Sequence, residues 1–428
     1  MYGSTDYGLT VDLYPFQVEG VDYILKSKYC ILAFDMGLGK TIQAIAAANA
    51  TKSKCLIVCP AFLKLNWELE IQKFCKTYKH VASYKKALDI YSYTPELEDF
   101  VIINYEQVKH AESLFEWADM VVADEAHYLK NGDAQRTIFF DKYLYENEPK
   151  YFIQMTGTPI QNRVEELYQL LLMACFTKGN GKNIMTDYPT KSSFCTKFSN
   201  KIMQKMRGRY IIKYEGHRNI ELLKTYLKGK FIRRKQADVL DLPETIEIDV
   251  VASYKQDKRL AREFEEHKQG KEKGISAKEK SARLKAKFTI QYVTNLLEQG
   301  IKQVVVFSDH VKPAEEIAEH FGVEAITGKM PTPKRQALVE KFQAGDMQVF
   351  SATIGAASTG LTLTAAHHMV ISDWSWVPGN MAQAKKRILR IGQTKKCTFH
   401  NIIGSFQDAY IQRSLKEKVK TITQVIDT

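Results

Sequence analysis

Short apolar runs of four to six residues recur along the chain, separated by stretches with helical spacing. In the first half they are Cys30-Ile31-Leu32-Ala33, Cys55-Leu56-Ile57-Val58-Cys59, Phe100-Val101-Ile102-Ile103, Met120-Val121-Val122-Ala123 and Phe152-Ile153 with Met155. Each is too short for a buried helix, and most are rich in β-branched residues, so each predicts a strand buried on both faces. Between them lie helical patterns: Ile42 to Ala50 is alanine-rich, and Leu65, Leu69 and Phe74 fall on one helical face. This alternation predicts an α/β fold with a doubly wound parallel sheet. A second series begins at Gln303–Ser308 and continues through Val323–Ile326, Gln348–Ser351 and Met369–Ser372. The order of elements repeats without a repeat of sequence, which predicts a second α/β lobe. The expected divisions are 1–175 for the first lobe, 176–250 for a protrusion and hinge, and 251–428 for the second lobe. Within the last, Lys255–Lys287 is charge-dense and broken by Gly270 and Gly274, a helical hairpin or a solvated loop. Phe288–Gln299 then reads as an amphipathic helix stopped at Gly300.

Polar clusters fall where the predicted strands end, which is where open parallel sheets bind ligands. After the first strand comes Phe34-Asp35-Met36-Gly37-Leu38-Gly39-Lys40-Thr41 and then a helix. Strand, glycine-containing loop and helix make a phosphate-binding loop: backbone N–H groups and the helix N-terminus cradle phosphate oxygens. Lys40 supplies a point charge for the β- and γ-phosphates, and the Thr41 hydroxyl can ligate Mg²⁺. The full pattern asks for glycine where this chain has Phe34. Upstream, Gln17 can bond the adenine edge bidentately, which would select ATP over GTP. At the end of Met120–Ala123, Asp124 is placed to hold Mg²⁺ and Glu125 to activate the attacking water. In the second half, Arg387 and Arg390 are three apart, a spacing that shares one helical face. An always-charged guanidinium suits a γ-phosphate during transfer. Gln383, Arg387 and Arg390 are therefore expected to complete the site from the second lobe when the cleft closes. The plainer alternative is a basic helix that only contacts DNA.

Composition adds a partner. Among 428 residues, 61 Lys+Arg against 49 Asp+Glu give a net charge of +12, which points to a polyanion, nucleic acid before acidic membrane. The seven cysteines show no Cys-x-x-Cys pair and no zinc spacing, and several sit in apolar runs. With no basic-then-apolar leader at Met1–Asp6 and no apolar run of membrane-spanning length, the expectation is a reduced, intracellular protein.

Three blocks carry a resemblance: Asp35-Met36-Gly37-Leu38-Gly39-Lys40-Thr41, Asp124-Glu125-Ala126-His127, and Met155-Thr156-Gly157-Thr158-Pro159-Ile160-Gln161-Asn162 followed by Glu165-Glu166-Leu167-Tyr168. Together with Phe231-Ile232-Arg233-Arg234, Asp238-Val239, Leu242-Pro243 and the run Gln383 to Gln393, the chain resembles the Swi/Snf-type DNA-dependent ATPases of helicase superfamily two. The likeness covers about Leu13 to Gly404. It implies two RecA-like P-loop NTPase lobes, a helical protrusion within the basic, tyrosine-bearing stretch Thr177–Lys230, and a hinge at Phe231–Pro243. It implies ATP and Mg²⁺ as cofactors, with Asp35, Met36, Leu38 and Gly360 joining the ATP site. It implies DNA-backbone contacts from Thr156, Asn162, Ser308, His310, Ser358 and Thr359, contacts that position without reading sequence. In that family Phe34 is no defect. Leu389 stands where the family usually has histidine, and Lys386 where it usually has an acidic residue. Leu361 to His368 with Trp376, Pro378 and Gly379 most resembles the fork-remodelling, annealing-helicase branch. The resulting expectation is an ATP-dependent translocase on duplex or branched DNA. Alternatives are an RNA- or single-strand-directed DEAH-type helicase, the motor subunit of a larger nuclease or modification complex, and a scaffold with a dead ATPase.

Overall fold

The computed structural model describes residues 6–77, 79–84, 97–175, 184–206, 209–252, 277–357, 361–390, 392–404 and 406–427. The chain divides into two units. The first comprises residues 1–201, 214–239 and 421–428, the second 202–213 and 240–420.

The first unit is built on a seven-stranded sheet. Its strands are β1 (Tyr29–Leu32), β2 (Cys55–Cys59), β3 (Val81–Ser83), β4 (Phe100–Asn104), β5 (Met120–Asp124), β6 (Tyr151–Met155) and, from the hinge stretch, a short strand Phe231–Ile232. The order is β3-β4-β2-β5-β6-β1 followed by Phe231–Ile232, and every pairing is parallel. Side chains of β1, β2 and β5 are buried throughout, as continuous apolar runs covered by helices on both faces require. Register then fixes the chemistry. Leu32 pairs with Met155, and Met155 pairs with Asp124, so the carboxyl ends of β1, β5 and β6 stand level. The backbone after Phe231–Ile232 continues this edge, with Ala33 N–H donating to Ile232 O and Asp35 N–H to Arg234 O. Val425 and Ile426 are buried in this unit's hydrophobic core.

The stretch expected to be a helical protrusion contains short helices, Ile184–Asp187, Lys191–Phe198 and Ile220–Leu227, and also two strands. These are β7 (Asn200–Met206) and β8 (Arg209–Glu215), which pair with each other as a two-stranded sheet. The reason is local: Tyr210-Ile211-Ile212 is β-branched and aromatic, a poor helix run and a good strand. With Phe231–Ile232 numbered β9, the second unit carries five parallel strands, β10 (Thr245–Val251), β11 (Val304–Ser308), β12 (Val349–Thr353), β13 (His368–Ile371) and β14 (Cys397–Ile403), in the order β10-β14-β13-β11-β12. The expected strand at Val323–Ile326 reduces to one bridge between Ile326 and Ala352, because a turn at Gly322 leaves too little extended chain. The amphipathic helix is longer than expected, Ala277–Glu298, while residues 253–276 of the charged insertion lie outside the described residues.

Candidate nucleotide site

The phosphate loop is held from behind by two glutamines. Nε2 of Gln17 and Nε2 of Gln43 each donate to the Leu38 carbonyl at 3.2 Å. Gln17 Oε1 also accepts the Tyr14 N–H at 3.0 Å, so both ends of this nearly buried amide are engaged within the protein. The structure thus places Gln17 on the loop, and adenine recognition would require exchanging these bonds. Gly39 has φ +71° and caps the helix Lys40–Thr51, and a Cβ there would come within 2.4 Å of Gln17 Nε2. The conformation disfavours a side chain, and one here would push the Gln17 amide off the loop. Phe34, by contrast, is not among the positive-φ residues. It is fully buried, near Phe16, and its carbonyl accepts from Lys40 Nζ at 2.9 Å. That geometry explains why glycine is dispensable at this position. Lys40 also donates to the Asp35 carbonyl at 3.2 Å, and Thr41 sits in the first helical turn.

Asp124 ends β5 and is almost fully buried. Trp67, on the helix Lys64–Phe74, donates its indole N–H to Asp124 Oδ2 at 2.9 Å, and the Glu125 N–H donates to Oδ1 at 2.9 Å. Burial pushes the Asp124 carboxyl up to about 6, the neighbouring Glu125 adds to this, and the Trp67 bond and Lys40 oppose it. A divalent cation here would reverse that balance. Glu125 adopts φ +51°, an uncommon backbone state for a residue with a Cβ, and its Oε2 lies 3.2 Å from His127 Nδ1. Trp67 was not legible as a site residue in the sequence. The available signal was a tryptophan on a mostly polar helix that otherwise buries only Ile71.

The third level element is the turn after β6. A Cβ on Gly157 would fall 2.6 Å from Met36 Cγ and 3.3 Å from Met36 N, so the absence of a side chain lets this turn lie against the phosphate loop. Thr156 is completely buried and its Oγ1 accepts the Thr158 N–H at 3.1 Å. The expected backbone contact from this hydroxyl is not presented at the surface. Asn162 is partly exposed. Glu166 Oε2 accepts the N–H groups of Gln161 and Asn162 at 2.8 and 2.9 Å, and its Oε1 pairs with Lys130 at 2.9 Å. Lys130 belongs to the segment that carries Asp124 and Glu125, so this ion pair locks the two turns together. Arg233 is a further anchor: Nη1 donates to Ala33 O (2.7 Å) and Gly157 O (3.3 Å), and Nη2 lies 2.9 Å from Asp35 Oδ1.

In the second unit, Ser308 is 1% exposed, with Oγ 2.5 Å from Asp373 Oδ1. His310 Nδ1 lies 2.7 Å from Asp373 Oδ2. Burial pushes the Asp373 carboxyl up, but bonds from His310 and Ser308 and the charge on Lys285 outweigh it and hold it low. Ser308 therefore faces inward and His310 is the partly exposed member of this cluster. Ser358, Thr359 and Gly360 lie outside the described residues. Arg387 and Arg390 are not on a helix, because the helix Pro378–Lys385 ends before them. Gln393 Nε2 takes up the carbonyls of Thr364, Ala366 and Ile388, which folds this stretch into turns. The two guanidinium groups nevertheless converge, both donating to Leu361 O, at 3.5 Å from Arg387 and 3.1 Å from Arg390. Gln383 and Arg387 are each 2% exposed, whereas Arg390 is partly exposed.

Comparison with known proteins gives the family. Residues 16–299 match the SNF2-related domain and residues 285–392 the helicase conserved C-terminal domain. One relative is the Xenopus tropicalis SWI/SNF-related matrix-associated actin-dependent regulator of chromatin subfamily A-like protein 1, 27% identical over 98% of this chain and 46% of its own length. Another is the mouse DNA annealing helicase and endonuclease ZRANB3, 28% identical over 93% of this chain and 39% of its own. The chain thus spans less than half the length of these relatives. A solved Sulfolobus solfataricus SWI2/SNF2 ATPase core in complex with dsDNA is 24% identical with a TM-score of 0.46, covering 99% of this chain and 98% of that one. The Asp-Glu-Ala-His tetrapeptide thus lies within a match to the SNF2-related domain, and a DEAH-type branch is not shown. The chain belongs to the SNF2-related family of helicase-type ATPases.

Proposed function

We propose that the chain is an ATP-driven translocase on double-stranded or branched DNA. The observation that carries this is the level register of β1, β5 and β6, which brings the Lys40 loop, Asp124 with Glu125, and the Gly157 turn to one edge. These residues suit magnesium-bound ATP. The loop is shaped by Gly39 and backed by Gln17 and Gln43, Lys40 offers an ammonium, and Asp124 is a buried carboxylate whose charged form calls for a cation. Bound ATP with Mg²⁺ supplies the phosphoryl group whose transfer to water drives movement.

The chain's own residues divide the work. Lys40 neutralises phosphate charge, Thr41 and Asp124 hold the metal, and Trp67 fixes the Asp124 rotamer. Glu125 takes a proton from the attacking water, and Arg390 stabilises charge on the transferring group. The Lys130–Glu166 pair ties the turn bearing Gln161 and Asn162 to the Glu125 segment. Occupancy of that turn by a DNA strand would therefore bear on the catalytic carboxylate.

The mouse DNA annealing helicase among the relatives and the +12 charge support DNA as the track, and the same relative supports strand annealing as the outcome. Contacts through phosphates make binding salt-dependent. Duplex affinity should fall by about 10³-fold or more between roughly 50 and 200 mM salt if about six phosphates are neutralised. Fluorescence anisotropy with a labelled duplex measures this, and affinity flat with salt would contradict backbone tracking.

A further inference from the structure

Arg233 spends its whole guanidinium on four acceptors. Nη1 holds the carbonyls of Ala33 and Gly157, Nη2 faces the Asp35 carboxylate, and Nε pairs with Asp427 Oδ1 at 3.2 Å. The first three acceptors belong to the phosphate loop, the strand leading into it, and the turn against it. The fourth is 194 residues further along the chain. Asp427 also pairs with Lys235 at 2.8 Å, and Asp35 Oδ2 accepts the Gln236 N–H at 3.2 Å. Two carboxylates and two cations thus balance in a region where Arg233, Asp35 and Asp427 side chains are 14%, 9% and 14% exposed. Asp427 is delivered by Val425 and Ile426, which are buried in the first unit's core immediately before it.

We propose that Asp427 is a positioning residue for nucleotide binding, acting through Arg233 to hold the phosphate loop and the Gly157 turn at their working separation. The inference rests on the nucleotide site proposed above. Without Asp427, Arg233 keeps, among the described residues, only Asp35 as a charged partner, and its guanidinium can pivot about that pair. The bonds from Nη1 to Ala33 and Gly157 depend on the guanidinium plane that the Nε–Asp427 pair fixes.

Two opposing effects make the sign of the result informative. Loss of positioning weakens nucleotide binding, whereas the uncompensated positive charge left behind would, by itself, strengthen binding of an anion. The test uses the full chain and ADP carrying a ribose fluorophore, with Mg²⁺ present. Asp427→Asn should weaken binding about tenfold, the loss of one charge-assisted hydrogen bond, and Asp427→Glu should restore most of it. Arg233→Lys, which cannot bridge the same acceptors, should reproduce the loss. Leu114→Ala, which removes buried packing elsewhere in the same core, should lower the thermal midpoint without changing affinity. Binding by Asp427→Asn within twofold of the unsubstituted chain, or tighter than it, would overturn the proposal. An unsubstituted chain that binds no nucleotide would overturn the underlying site as well, and the two failures are distinct.

Discussion

Replacing Arg390 by alanine should lower ATP turnover by about 10³-fold while nucleotide binding survives. The two arginines differ in burial. Arg387 and Arg390 share the Leu361 carbonyl, but Arg387 is buried to 2% exposure. Moving it would leave a cavity in the packed interior. Arg390 is partly exposed and additionally donates to Thr362 Oγ1 at 2.8 Å, a hydroxyl bond that a phosphate oxygen can replace. Its charge persists at any working pH, so no protonation step limits it. The lysine variant should recover little, since a point ammonium does not reproduce the fork. Single-turnover hydrolysis with radiolabelled ATP, alongside binding of a fluorescent ATP analogue, separates the two effects. Turnover within a few-fold of the unsubstituted chain would remove Arg390 from the chemistry.

Glu125→Gln should be nearly as severe, about 10²- to 10⁴-fold in turnover, the range expected for a lost general base. The side chains are isosteric, so the +51° backbone and the neighbouring bond from the Glu125 N–H to Asp124 can persist. What disappears is the ability to accept a proton from water. Nucleotide affinity should stay within a few-fold of the unsubstituted chain, and the thermal midpoint should hardly move. A combined loss of affinity and stability would assign Glu125 a structural role. Preserved turnover would place the base elsewhere.

Most of the first lobe was legible because its strands are buried on both faces, and continuous apolar runs such as Cys55–Cys59 announce themselves. One strand not legible in the sequence, β14, carries polar residues inward. β14 contains His400 and Asn401, both buried, and its pattern is interrupted accordingly. His400 is accommodated by hydrogen bonds to the Tyr292 hydroxyl and to His368, and burial lowers both histidines to about 4. They are neutral there, and a sequence pattern cannot show which polar residues find such partners. β10 failed for the opposite reason, since its side chains are mostly exposed.

The same logic divides the site. Lys40, Asp124 and Glu125 follow strands at short range, and the motif spacing exposes them. Trp67 and Asp427 act through contacts that arise only when distant segments fold together, at separations of 57 residues for Trp67–Asp124 and 194 for Arg233–Asp427. Thr156 and Ser308 show the converse. Their hydroxyls suggest phosphate contacts in the sequence, yet Thr156 accepts the Thr158 N–H of its own turn and Ser308 donates to Asp373, 65 residues away.

The central claim is that this nucleotide site answers to duplex or branched DNA. The most direct test is the steady-state ATPase rate of the full chain against a matched panel of duplex, forked and single-stranded DNA and single- and double-stranded RNA. The account predicts strong stimulation by duplex and forked DNA, at least about tenfold over the rate without nucleic acid, as expected when a partner completes a phosphoryl-transfer site. Stimulation by RNA or by single strands alone, with duplex DNA inert, would contradict it.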